Sequence, residues 1–425
     1  MSHEIAFTID SSSIKFGPGV TREVGYDLKV LGARRVMAVV DPNLKDGETV
    51  AIALDSLRRE GIDGVVYDQV RIEPSDISLQ AAAQFAAAGA FDGYLAVGGG
   101  STIDTAKAAN LYATYPADFF DYVNAPIGKG LPVPGPLRPM VAVPTTAGSG
   151  SEVSGMAIFG VSGMQVKTAI GHRALRPSLG IIDPDNTRTV PRTVAICVAL
   201  DVLCPALEGL TALPYTSRPA VESPGSRPTY QGANPISDIW SARAAEMCVE
   251  FLPRALADPS DDEARAQMIL ASTYGSIGFG NSGTTLAHGM SYPVCGMVRD
   301  YFPDGYPKDH PMIPHGMGVA LVAPAAFRFM GPAKPDRFLL AARLMGVDTA
   351  GVAPEAAGEL VASRLVDLMR RLGMPNGLKA VGYTEDDVDK LVEGTLPQHR
   401  VIKLSPRPAS AEDFRRMFLE SMTLW

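Results

Sequence analysis

Cysteine is scarce in this chain of 425 residues, and none of its four (Cys197, Cys204, Cys248 and Cys295) stands in a CxxC pair. Without paired spacing they read as buried thiols in a reducing compartment, not as a disulfide frame. Clustered positive charge is missing too. Its 38 Lys and Arg stand against 46 Asp and Glu, a formal net charge of −8. No basic stripe is left to neutralise phosphates, which argues against a nucleic-acid surface. The apolar runs VAICVAL (194–200) and GMGVALVAPAAF (316–327) fall short of the roughly 20 residues of a membrane span. The N-terminal stretch MSHEIAFTIDSSSIKFG has no basic segment followed by an apolar one, and it lacks the Arg-rich, acid-poor character of a transit peptide. These absences lead to the expectation of a soluble, cytoplasmic protein that engages neither nucleic acid nor membrane.

What is present alternates. RVMAVVD (35–41), GVVYDQV (64–70), GYLAVGG (93–99), MVAVPTT (140–146) and LGIIDP (179–184) read as strands. Between them, ISLQAAAQFAAAGA (77–90) and STIDTAKAANLYAT (101–114) read as helices. That alternation predicts an α/β, Rossmann-like domain over 1–190 with a mostly parallel sheet. From Pro191 onward the apolar period becomes 3.6 residues, which predicts an all-helical domain over 191–425. The Pro-rich stretch 213–236 reads as a long surface excursion between helices.

Two glycine-containing turns suggest a dinucleotide. LAVGGGSTIDTAK (95–107) runs from a strand through Gly98, Gly99 and Gly100 into a helix opened by Ser101, with Asp104 one turn on. Glycines let the backbone approach a ligand, and the helix N-terminus favours phosphate. PTTAGSGSE (144–152) supplies Thr145, Thr146 and Ser149 after a second strand. Asp41 ends the 35–41 strand, where a carboxylate can accept bonds from a ribose and repel a 2′-phosphate. Together these predict NAD in preference to NADP.

Of only six histidines, His288 in LAHGMSYP and His315 in MIPHGMG join Asp201 in ALDVLCPALEGL as a candidate metal set. One carboxylate and two imidazoles suit Fe(II) or Zn(II), with positions left open for substrate.

In order along the chain, GGGSTIDTAK, PTTAGSGSE, DVLCPALE, LAHGMSYP and IPHGMG resemble the signatures of the iron-containing (group III) alcohol dehydrogenases. DYVNAPIGKG, RPTYQGANPISDIW, GFGNSG, HGMSYPV and GTLPQHRVIKLSPRP resemble the hydroxyacid–oxoacid transhydrogenase branch of that family. The resemblance implies a Rossmann-like NAD domain, a helical metal domain and a cleft between them, in a homo-oligomer. It implies metal ligands at Asp201, Pro205, His288 and His315, and it places Lys167 near the nicotinamide ribose. It also implies hydride transfer from 4-hydroxybutyrate to 2-oxoglutarate through NAD that stays bound. Tyr292 stands where many relatives carry another histidine, and it is a candidate, with His288, for the catalytic machinery. Arg218, Arg227 and Lys308 are candidate cations for the substrate carboxylates.

Pro205 departs from the pattern, since proline offers no ligand atom. Glu208, on the same helix face as Asp201, is about 10 Å of rise away and too distant to replace it. Proline is tolerated best in a first turn, so its cost depends on where this helix begins. A weaker metal site, a metal-free enzyme and an impaired, non-catalytic NAD-binding homologue all remain open, as does a plain dehydrogenase with exchangeable NAD.

Overall fold

The computed structural model describes residues 3–164 and 166–425. The described residues form eight strands: β1 (Ser13–Phe16), β2 (Arg35–Val40), β3 (Asp63–Tyr67), β4 (Gly93–Gly98), β5 (Met140–Pro144), β6 (Met156–Val161), β7 (Val166–Gly171) and β8 (Leu179–Ile182). The first helices are α1 (Val24–Val30), α2 (Glu48–Arg59), α3 (Asp76–Gly89), α4 (Gly100–Thr114) and α5 (Phe119–Tyr122). Six strands make one parallel sheet in the order β1-β8-β5-β4-β2-β3. The inner strands β2, β4 and β5 are apolar at nearly every position because both faces are covered. Val36, Ala38 and Val40 of β2 point to a core shared with Val24 and Leu28 of α1 and Ala53 and Leu57 of α2. The alternate residues, Met37 and Val39, pack with Ala82 and Ala86 of α3 and Ile103 and Ala106 of α4. Outside this sheet, β6 and β7 form an antiparallel pair.

The rest is helical: α6 (Arg192–Thr211), α7 (Pro235–Ala257), α8 (Asp262–Ser282), α9 (Leu286–Gly296), α10 (His315–Met330), α11 (Pro335–Leu344), α12 (Ala357–Leu372), α13 (Val388–Thr395), α14 (His399–Ile402) and α15 (Ala411–Glu420). By length and composition, α6 and the stretch His315–Ala333 are apolar enough to cross a membrane, yet 72% and 83% of those windows lie buried inside the protein. They are the central helices of the helical part. α6 begins at Arg192, so Pro205 lies in the helix interior and not in a tolerant first turn.

The chain forms two compact units. One comprises residues 10–190 and 257–273 and contains the sheet; the other comprises 1–9, 191–256 and 274–425. Residues 3–9 thus belong with the helical unit, where the Gln231 side chain both accepts from the Thr8 N–H and donates to its carbonyl, at 3.0 Å each. Cys197, Cys204 and Cys248 are buried, and none of the four cysteines forms a disulfide.

Candidate active site

The α/β unit builds a crevice where its chain reverses direction across the sheet. From β2 the chain steps outward to β3, then returns past β2 to form β4. Ligands of open parallel sheets lie at such switch points, beyond the carboxyl ends of the strands. Asp41 follows β2, and its N–H donates to the Val97 carbonyl at 3.0 Å. Its Oδ1 accepts from the Asn43 backbone at 2.9 Å and side chain at 3.0 Å, while burial raises the carboxyl above its ordinary value. β4 ends in Gly98, and α4 opens at Gly100 after the N-cap Gly99, with no side chain capping it. The first N–H groups of α4 are therefore offered to an anion.

The two glycine motifs meet here. A Cβ on Gly99 would come within 3.3 Å of Thr146 Oγ1, and one on Gly100 within 2.7 Å of Ser149 Cβ. Thr145, whose N–H donates to the Gly98 carbonyl at 3.1 Å, fixes the start of the second loop. Ser101 Oγ accepts the Glu73 N–H at 3.1 Å.

Asp104 has a different setting from the others. Its Oδ2 accepts from the Ile158 N–H at 2.9 Å, and its Oδ1 accepts from Ser151 Oγ. Beside it Lys107, wholly buried, donates to Ser151 Oγ at 2.6 Å and to the Met156 carbonyl at 2.7 Å. Burial pushes Lys107 down to about 8 and raises Asp104. The pair ties α4 to the GSGSE loop from beneath, and both Asp104 oxygens are engaged within the chain. Lys167 on β7 pairs with Glu73, a non-glycine residue at φ 56. Glu73 escaped sequence reading; its only local sign is the following Pro74 in RIEPSD.

The helical unit brings Asp201 of α6, His288 of α9 and His315 of α10 together. One donor atom from each lies within 4.8 Å of the others, near the span of about 4 Å across an ion with bonds of 2.0–2.2 Å. The His288 and His315 rings stand 5.3 Å apart at 74°. Glu208, fully buried, completes the arrangement from behind. Its Oε1 accepts from the Thr285 N–H and hydroxyl, each at 2.9 Å, and its Oε2 contacts His288 Nδ1. Burial raises the Glu208 carboxyl, but the His288 ring and the Thr285 donors outweigh it and hold the group below the ordinary carboxylate range. With an ionised acid at Nδ1, that nitrogen carries the proton and Nε2 presents its lone pair. Seven residues beyond Asp201, Glu208 orients the His288 ring and does not stand among the three donors. This donor set fits a metal ion.

Tyr292, one turn beyond His288, stacks on the His315 ring at 5.8 Å between centroids. Its hydroxyl accepts from Arg400 Nη2 at 2.5 Å. Each of the three cations expected at the substrate has neighbours within the chain. Arg227 donates to Glu4 at 3.1 and 3.2 Å, Arg218 stands 3.8 Å from the same carboxylate, and Lys308 donates to the carbonyls of Phe302 and Pro303 in its own loop. The cation beside Tyr292 is Arg400, which sequence reading passed over.

Residues 11–184 match the iron-containing alcohol dehydrogenase family model, and residues 229–422 match the C-terminal model of the same family. The chain belongs to this family. Over 424 residues it is 50% identical to hydroxyacid-oxoacid transhydrogenase, mitochondrial, of Bos taurus, covering 99% of this chain and 91% of that protein. Among solved structures, 1,3-propanediol oxidoreductase superposes with a TM-score of 0.84 at 26% identity, covering 98% of this chain and all (100%) of the other. Sulfoacetaldehyde reductase from Bifidobacterium kashiwanohense, solved in complex with NAD+, gives 0.80 at 25% identity over 99% and 100% of the two chains. The expectation of a cytoplasmic location is overturned: the curated relatives carry the designation mitochondrial, in Dictyostelium discoideum and Homo sapiens as in cattle. That expectation rested on the composition of the N-terminal stretch, and a short stretch of composition is weak evidence of address.

Proposed function

We propose that this chain is a hydroxyacid–oxoacid transhydrogenase, an oxidoreductase moving a hydride from a hydroxy acid such as 4-hydroxybutyrate to an oxo acid such as 2-oxoglutarate through bound NAD. The observation that carries a metal-assisted redox reading is the convergence of Asp201, His288 and His315 donors within 4.8 Å. The likeness to transhydrogenases over 99% of the chain supports the choice of reaction. Asp201, His288 and His315 would hold Fe(II) or Zn(II), which, when bound, supplies Lewis-acid polarisation of the substrate oxygen. With proline at 205, the chain provides three protein ligands and the ion is held more weakly than by four.

On this reading the chain's own groups do the remaining work. Glu208 fixes the His288 tautomer so that Nε2 faces the ion. Asp41, at the end of β2, selects NAD by accepting bonds from the adenosine ribose. Gly98, Gly99, Gly100 and Ser101, with Thr145, Thr146 and Ser149, cradle the pyrophosphate against the α4 N-terminus. Lys167, held by Glu73, stands toward the nicotinamide end. Tyr292 packs over His315 and carries a hydroxyl for the proton path.

The overall reaction balances without another oxidant: 4-hydroxybutyrate and 2-oxoglutarate give succinate semialdehyde and 2-hydroxyglutarate. Purified protein given both acids and no added NAD is expected to form 2-hydroxyglutarate, followed by chromatography. Strict dependence on added NAD would overturn permanent retention of the cofactor. It would leave an ordinary dehydrogenase with exchangeable NAD.

A further inference from the structure

Arg400 sits in α14, on the short tail segment PQHRVIK. α14 is pressed against α9 at Gly289, the residue after His288, where a Cβ would come within 2.5 Å of Ile402 Cγ2. Only glycine permits that approach. It delivers the Arg400 guanidinium to Tyr292, whose ring is 2% exposed and stacks on His315. Nη2 donates to the Tyr292 hydroxyl at 2.5 Å, and the guanidinium carbon lies 4.7 Å from the centre of the Tyr230 ring. Tyr230 is itself fixed: Gly283, at φ +100, lets it lie where a Cβ would meet its own Cβ at 2.9 Å.

Two phenols are the electrostatic neighbours of this cation. Among the described residues no carboxylate forms an ion pair with it, and Nη1 is buried without a hydrogen-bond partner. A partly buried cation with no counter-charge is costly, and hydrogen bonds to phenols with one aromatic face offset only part of that cost. Every other arginine weighed for the substrate already touches Glu4. Arg218 also keeps Nε and Nη2 without partners, but it faces the Glu4 carboxylate; Arg400 faces no carboxylate among the described residues, and it stands one phenol ring from His315.

We propose that Arg400 binds the carboxylate of the acid substrates, whose alcohol or carbonyl end lies at Asp201, His288 and His315. The proposal rests on the transhydrogenase reading and names the residue that makes it selective for acids. Arginine suits the task through its planar fork, which meets a carboxylate with two parallel N–H bonds. The intervening Tyr292 ring separates the cation from the imidazoles. The site therefore favours acids whose carboxylate is several carbons away from the reacting carbon.

The test compares full-length wild type with Arg400→Gln and Arg400→Lys in two measurements. The first is the ratio of kcat/KM for 4-hydroxybutyrate to that for 1-butanol. Arg400→Gln is expected to lower this ratio on the order of 10- to 100-fold, the worth of a charged hydrogen bond, and Arg400→Lys to recover part of it. The second is the affinity for glutarate, a redox-inert dicarboxylate, by calorimetry, which is expected to fall in parallel. An equal loss on both substrates, or glutarate binding unchanged in Arg400→Gln, would overturn the assignment. If wild type fails to transfer hydride between the acids, the reaction is misassigned, and glutarate binding still decides the role of Arg400. If Arg400→Gln does not fold, the Arg400→Lys variant is read alone: wild-type ratio and wild-type glutarate affinity together count against the proposal.

Discussion

At the scale of single residues, two positions on α6 act in opposite directions on the same three donors. Pro205 offers no donor atom to the Asp201–His288–His315 group, and it lacks the N–H that would bond the Asp201 carbonyl one turn back. A proline in a helix interior costs about 3 kcal/mol relative to alanine. Asp201 thus hangs from a turn with one backbone bond fewer than its neighbours. Glu208 works the other way, since its carboxylate holds His288 in one orientation and tautomer. Partners of this kind change metal affinity by roughly 10- to 100-fold when removed. Competition with a chromophoric chelator is expected to show Zn(II) held at least about tenfold tighter in Pro205→His. The same assay should show it held about 10- to 100-fold more weakly in Glu208→Gln. Equal affinity in all three proteins would mean that Asp201, His288 and His315 do not bind the ion.

At the scale of elements, the central strands were legible because each is buried on both faces and so reads as an uninterrupted apolar run. β2, β4 and β5 stand close to where their sequences put them. β1 was missed for the converse reason. It is an edge strand with exposed positions, and SIKF looks like a loop. The β6–β7 pair lies outside the main sheet, and the Ser162-Gly163 turn signal that joins its strands was passed over. Site residues divided similarly. Motifs contiguous in sequence, such as GGGS and PTTAGSGS, announced themselves. Partners that meet only through folding did not: Arg400 and Tyr292 are 108 residues apart, and Glu208 and His288 are 80 apart. The facing of the two loops leads to a test at this scale. A methyl on Gly100 would displace Ser149, because its carbon would lie 2.7 Å from Ser149 Cβ. Gly100→Ala sits at the start of a helix, where alanine is a good helix former, so α4 is expected to persist. NAD retention should fall on the order of tenfold, about 1.4 kcal/mol, as measured by the NAD that stays with the protein through dialysis. Full retention would show that the second loop is not part of the cofactor site.

At the scale of the whole molecule, the buried Lys107 makes the stability of the fold depend on pH in a range where few groups titrate. Its ammonium donates to Ser151 and to the Met156 carbonyl, joining α4 to the GSGSE loop and to β6. Burial lowers its pKa from 10.5 to about 8. Between those two values the unfolded chain keeps a proton that the folded chain has released. Unfolding therefore takes up a proton, and stability rises with pH through this window. Below about pH 8 both states are protonated, and the folded state bears the whole cost of an ammonium withdrawn from water; above 10.5 both are neutral and the dependence ends. Lys107→Met has no such group, so the difference in unfolding free energy between wild type and variant should shift toward wild type by about 1–2 kcal/mol from pH 8 to 9.5. Chemical denaturation at the two pH values measures it, and the double difference cancels every other titration the two proteins share. A shift of opposite sign would mean that Lys107 is held charged in the folded state by Asp104 and Glu152 more strongly than burial opposes it, turning the tie beneath the cofactor loop into a true ion pair.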